Sequence, residues 1–225
     1  NDFEEWEEFV SSALNATIFH LKVFLSYHIE RTFKDHSLMF YKKNKLIGVF
    51  PASETSTELG KELFSHPGAS FGGIIYKEYS FSNMMQMIGC VEQYASENNF
   101  QHITTVPTPS VYTQDYDESQ KYSLRWNGCN ETEQYYASII PIMDNLDSQI
   151  KAIHKNKSRS SDYYDNIIKS NSLSITWDND FDSFYPILLK NKKLHDSSPT
   201  HSLEELKKLN KIMPDKLKLL LIKKD

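Results

Sequence analysis

The stretch SHPGASFGGIIYKEYSFSNMMQM, Ser65 to Met87, constrains the fold more than any other part of this chain. It holds three of the seven glycines, Gly68, Gly72 and Gly73, between two segments of regular pattern. Upstream, Leu46-Ile47-Gly48-Val49-Phe50-Pro51-Ala52 is an apolar run of strand length. Downstream, Phe81, Met84, Met85, Ile88, Val91 and Tyr94 recur at helical spacing. A strand, a glycine-rich bend and a helix is an arrangement in which free N–H groups at a helix start hold an anion. Gly72-Gly73 is neither GxGxxG nor a P-loop, so two readings stay open. The bend is a purely structural turn, or it lets a substrate phosphate or peptide backbone approach the chain closely. His66 just before it, and Tyr112 just after the strand end at Pro107 and Pro109, are the polar side chains nearest to it in pattern.

Taken in order, Phe3 to Leu14 patterns as an amphipathic helix and the segment around Phe19, Val23, Phe24 and Tyr27 as a second. Ser37 to Tyr41 and Leu46 to Pro51 read as a hairpin across a polar turn, and Ser53 to Lys61 as a loop. Phe64 to Ile75 is the strand and bend, Phe81 to Asn98 a helix, His102 to Val106 a strand, and Tyr136 to Ile142 another. The helix is expected to cross over between the Gly72–Ile74 strand and the His102 strand. Beyond Met143, Ser148 to Asn171 reads as basic helix, Leu173 to Trp177 as strand, and Phe181 to Leu194 as a helix broken early by Pro186. Ser202 with Glu205 has capping-box spacing for a further helix, and Leu217 to Ile222 opens a strand. The second part repeats the element order of the first.

Residues 1–150 carry 10 Lys+Arg against 20 Asp+Glu, and residues 151–225 carry 15 against 10. The net charge of −5 and the acidic first part disfavour DNA, and the swing suggests two units with different partners. Lys155, Lys157 and Arg159 fit a phosphate or tRNA contact, but Asp162 and Asp165 dilute them toward a solvated helix face. Two cysteines make no disulfide framework, and Cys90 reads as a buried thiol beside the apolar helix face. No apolar run has membrane-spanning length and the acidic start is no signal peptide, so a cytoplasmic protein is expected. On that basis the sequons at Asn15, Asn130 and Asn156 read as chance. The eight histidines show no HxxxH spacing and no CxxC accompanies them, so no metal is expected. Nothing suggests a covalent nucleophile.

The segments IFHLKVFLSYH, FKDHSLMFYKKNKLIGVFPA, HPGASFGG and VPTPSVY, followed by HDSSPTHSLEELKKL and PDKLKLLLIKKD, resemble the FemAB/FemX-like branch of the GNAT N-acyltransferase superfamily, a bacterial type of enzyme. The resemblance implies an α/β (α+β) fold of tandem lobes, each a mixed sheet flanked by helices. The lobes would be residues 1–142 and 143–225, with the glycine-bearing donor loop of the second lying beyond Asp225. An unpaired Leu217–Ile222 edge would then be covered by a second chain or by further residues, which makes a homo-oligomer one expectation.

The same resemblance implies transfer of an acyl or aminoacyl group, from acyl-CoA or aminoacyl-tRNA, to an amine of a sugar nucleotide or peptidoglycan precursor. His66, Gly68, Ser70, Gly72, Gly73 and Tyr112 would bind substrate. His195 and His201, bracketing Ser197-Ser198-Pro199, would face them and supply a general base. Gly72→Val would weaken binding by closing the approach, while leaving the lobe largely folded if Gly72 has an ordinary φ. The alternative is a binding or assembly module whose GNAT-like lobe is degenerate and does no chemistry.

Overall fold

Lys43 and Asn44 both adopt left-handed backbone, with φ of 49° and 61°, the geometry that a two-residue hairpin turn requires. That turn joins β2 (Leu38–Lys42) to β3 (Lys45–Phe50) in the computed structural model, which describes residues 1–136, 138–153 and 161–224. The protein is a mixed α/β (α+β) chain in two units. One comprises Asn1–Asn130 with Lys211–Met213, and the other Glu131–Asn210 with Pro214–Asp225.

In the first unit the hairpin continues past its own ladder. β1 (Lys34–Asp35) pairs with β4 (Ser53–Thr57), and the His36 N–H donates to the Ala52 carbonyl at 2.9 Å between the two ladders. Helix α1 (Asp2–Ser11) is capped by the Asn1 side chain, with Asp2, Glu4 and Glu5 at its positive end. It buries Trp6, Phe9 and Val10 against Leu46, Val49 and Ile75 on one sheet face. Helix α3 (Phe81–Glu97) covers the other with Met84, Met87, Ile88 and Val91 against Phe50, Ile74 and Tyr76. The alternation Val49/Phe50 and Ile74/Ile75 follows directly from the strand period of two.

Several expectations need correction. The second helix is only a 3-10 turn (Ile18–His20) and α2 (Lys22–Leu25). Phe19, Phe24 and Tyr27 owe their spacing to edge-to-face ring contacts rather than to a helix face. The loop at Ser53–Lys61 is in fact a hairpin of β4 and β5 (Gly60–Ser65), polar because Thr55 bonds across it to Glu62. The neighbour of β7 (His102–Thr105) is β5, in parallel, with Leu63 opposite Ile103. β6 (Ile75–Tyr76) pairs with β3 instead. The chain leaves the four-stranded β1–β4–β5–β7 sheet at Ser65 and enters the three-stranded β2–β3–β6 sheet beyond the bend, keeping a parallel bridge from Gly72 to Pro107. Ser119–Trp126 is a helix, α4. No strand forms among the described residues of 136–142, where Tyr136 and Ile142 are almost wholly exposed. Cys90 is exposed, not buried.

The second unit holds α5 (Leu146–Ile153), α6 (Ser161–Ser170), β8 (Leu173–Trp177), α7 (Phe181–Lys193), α8 (Leu203–Ile212) and β9 (Leu220–Lys224). Pro186 does not break α7. The carbonyl that its missing N–H would meet belongs to Asp182, an exposed residue of the first turn, where water serves as well. The capping box forms as expected, with Ser202 N–H donating to Glu205 Oε2 and Glu205 N–H to Ser202 Oγ, each at 3.2 Å. The Leu217–Ile222 strand, shifted to β9, is paired antiparallel with β8. Lys155, Lys157, Arg159 and Asn156 lie outside the described residues. Among the described residues no helix is long and apolar enough to cross a membrane.

Candidate functional site

The parallel strands β5 and β7 end together, at Ser65 and Thr105, and the bend of residues 66–74 rises from that end. Its amides are turned inward. Gly68 N–H donates to His66 Nδ1 (3.1 Å), Ala69 N–H to the His66 carbonyl (3.2 Å), Gly72 N–H to the Val106 carbonyl (2.7 Å) and Gly73 N–H to Ser65 Oγ (2.8 Å). The expected anion cradle is therefore corrected at these four donors. A phosphate would have to break bonds that the bend already makes. Helix α3 begins later still, at Phe81, where the Asn83 N–H donates to the Ser80 side chain at 3.2 Å.

The glycines are explained by close approach. A Cβ on Gly72 would stand 2.2 Å from the Ser65 carbonyl oxygen, which is backbone and cannot step aside. Gly72→Val therefore does not leave the lobe intact. Gly73 has φ +85°, and its Cβ would meet Gln120 Oε1 at 2.9 Å and Thr105 Oγ1 at 3.2 Å. Gly68 leaves room for the His28 and Phe33 rings.

Three histidines surround the bend, and their hydrogen bonds fix their tautomers. His66 Nδ1 accepts from Gly68, so a neutral His66 carries its proton on Nε2. Burial first, and the Lys22 charge second, push its pKa down to about 4. His28 donates Nε2–H to the Gly68 carbonyl (3.0 Å) while Nδ1 accepts from Arg31 (3.1 Å), so both nitrogens are committed. His20 accepts the Thr17 N–H on Nδ1 (2.8 Å), and its fully buried Nε2 lies beside the Gly72 backbone without completing a hydrogen bond. Burial pushes its pKa down to about 4 as well. His20 and His66 are therefore neutral near pH 7, and each carries its proton on Nε2 as a donor.

The surrounding frame is polar and well tied. Asn15 donates to the Ile74 carbonyl (2.8 Å) and accepts from the Tyr76 N–H (3.0 Å), filling the place of a neighbouring strand. Its burial also rules out a glycan there in the folded chain. Gln120 Nε2–H donates to the same Ile74 carbonyl (2.6 Å). Tyr76 donates to Asp117, and burial together with that carboxylate drives its hydroxyl pKa upward. Thr105, Thr108 and Ser123 keep buried hydroxyl oxygens without a partner among the described residues. Such groups call for water or a ligand.

Of the residues singled out in the sequence, His66, Gly68, Ser70, Gly72 and Gly73 share this bend. Tyr112 joins it through Phe71, whose ring packs between Phe19 (5.5 Å) and Tyr112 (5.6 Å). Ser70 and Tyr112 are exposed. His195 and His201 belong to the other unit. His195 follows the end of α7, its N–H donating to the Lys192 carbonyl at 3.0 Å. His201 precedes the α8 cap, its Nδ1 3.8 Å from Glu205 Oε2. His20 and Gln120 were not singled out, and Asn15 was named only as a sequon. Only the unusual density of histidine and aromatic residues before Asp35 hinted at the first.

No protein-family model matches the chain, and no curated protein matches it in sequence. In structure it is similar to the crystal structure of FemX, with a TM-score of 0.60 and 12% identity over 99% of this chain and 56% of that one. The likeness is one of fold, and this chain therefore has a FemX-like fold, spanning just over half the length of FemX. It is also similar to TTHA1254 from Thermus thermophilus. A point mutant of that protein gives a TM-score of 0.40 at 10% identity, covering 63% of this chain and 94% of that one. The wild type gives 0.38 at 11%, covering 61% and 92%.

Proposed function

We propose that this chain is an N-acyltransferase of the Fem type, moving an acyl or aminoacyl group onto an amine of a sugar-nucleotide or peptidoglycan precursor. The observation that carries this reading is the FemX-like fold along 99% of the chain. The carboxyl ends of parallel strands are where open α/β sheets receive ligands, and here that end carries the bend. In this reading the Nε2–H of His66 donates to a carbonyl or hydroxyl of the acceptor. The base we propose is His201 or His195, as the resemblance implies, and it takes one proton from the acceptor ammonium. The freed amine attacks the carbonyl of acyl-CoA or aminoacyl-tRNA, the thiolate or tRNA alkoxide leaves with the electron pair of the broken bond, and the proton lost by the new amide nitrogen ends on that leaving group.

A second reading, a binding module without chemistry, draws support from the commitment of the bend's four amides and of both His28 nitrogens. One experiment separates the two. A UDP-linked muramyl peptide is incubated with radiolabelled acetyl-CoA or aminoacyl-tRNA, and label in the acceptor is counted beside its calorimetric affinity. Transfer that falls about 100-fold or more in His201→Ala or His195→Ala supports the enzyme with that base. Binding without transfer supports the module. Neither binding nor transfer defeats both.

A further inference from the structure

The outer edge of β2 is open. β2 is the last strand of the β2–β3–β6 ladder, and among the described residues no backbone group of Leu38–Lys42 bonds to anything but β3. Beside this edge lies a groove of about 320 Å³, lined by Leu38, Phe40 and Ile47 of the hairpin and Met87, Cys90 and Tyr94 of α3. A strand directs alternate N–H and C=O groups outward, so the groove combines apolar walls with a row of unused backbone donors and acceptors. A compact apolar ligand would cover the walls and leave that row without partners. An extended peptide satisfies both at once, pairing with β2 and placing every second side chain in the groove.

Charge selects among peptides. Lys42 lines the groove, Lys43 follows in the hairpin turn and Lys45 opens β3. Lys42 bonds to Asn83 and Lys45 to Glu78, both on exposed surface where such contacts exchange at little cost. A second copy of β2 (LMFYK) contains no acid and would leave these lysines unmatched. We propose that the β2 edge and this groove dock an extended segment of another protein, apolar at alternate positions and acidic at the end that meets Lys42. The inference stands independently of any acyl transfer.

The test is selection of a random-peptide phage library on the full chain. Enriched sequences should show apolar residues at alternate positions with Asp or Glu at one end. The best, made synthetically, should slow exchange of the Leu38–Lys42 amides. Its affinity should drop at least tenfold when its alternate amides are N-methylated, and likewise with Cys90→Trp, which fills the groove from an exposed position. Lys42→Glu should weaken it severalfold and shift the preference away from acidic peptides. An absence of enrichment, or binding indifferent to both Cys90→Trp and N-methylation, overturns the proposal. So does sedimentation showing, without peptide, a dimer that Cys90→Trp abolishes, since the occupant would then be a second copy.

Discussion

The β2–β3–β6 sheet of the first unit and the β8–β9 ladder of the second are built on the same alternation, yet only the first is covered on both faces. In it Val49 and Ile75 have no exposed surface, and neither has Leu63 in the β1–β4–β5–β7 sheet. In the second, Ile175 stands opposite Ile222 and Trp177 opposite Leu220, and these side chains are 45%, 62%, 72% and 43% exposed. The reverse side buries Leu221. Apolar content is thus a poor guide to what a residue contributes. Area removed from water sets the contribution, and two strands with one bare face remove little.

The widest expected gap comes from truncating equivalent strand positions. Leu63→Ala should cost about 2–5 kcal/mol because it empties a fully packed place, whereas Ile222→Ala should change stability by less than about 1 kcal/mol. Urea unfolding of both variants checks this, and similar losses would erase the distinction. Gly72→Val should cost about 3 kcal/mol, since its new methyls meet the Ser65 carbonyl. Loss of hydrogen-exchange protection at β5 and β7 is the readout, and an unperturbed melt would mean the bend can open.

Acid should weaken the first unit in particular. The folded pKa values of His20 and His66, about 4, lie below the unfolded value near 6.5. The unfolded chain therefore takes up protons first. The stability is complete above roughly pH 6.5 and drains away as pH falls toward 4, by up to about 3 kcal/mol for each histidine. Urea midpoints at pH 7 and 4.5 should differ accordingly, and His66→Gln should flatten the slope. A pH-independent midpoint would contradict the burial of these rings. Smaller still, Ser202→Ala should remove about 1 kcal/mol of local stability by opening the α8 cap, seen as faster exchange in its first turn. The least effect belongs to Trp177→Ser, expected within about 0.5 kcal/mol of wild type together with a gain in solubility. A large loss there would show that something covers the bare face.

Where periodicity was strong, the sequence was readable. The apolar spacing of α3, the Lys43-Asn44 turn, the β-branched run of β7 and the Ser202–Glu205 box all describe interactions within a few residues of one another. Failures came where distant residues decide. Thr55 and Thr57 look like loop until Glu62 and His102 appear across the strands. Pro186 looks like a break until its turn proves exposed. The bend was correctly placed, but its meaning depended on Val106, Asn15 and Gln120, all far enough in sequence to leave no local signal.

The sequence by itself determined that this chain folds as α/β (α+β), where its strongest helices and strands lie, and where the glycine-rich bend falls between them. Local backbone sterics and hydrophobic period suffice for that. Only the tertiary structure decided which strand neighbours β7, which nitrogen of His66 keeps its proton, and that the bend spends its amides on itself. The strand pairing joins residues far apart in the chain, and the other two outcomes need the folded bend that brings Gly68 N–H onto His66 and Gly72 N–H onto the Val106 carbonyl, which no hydrophobic period encodes.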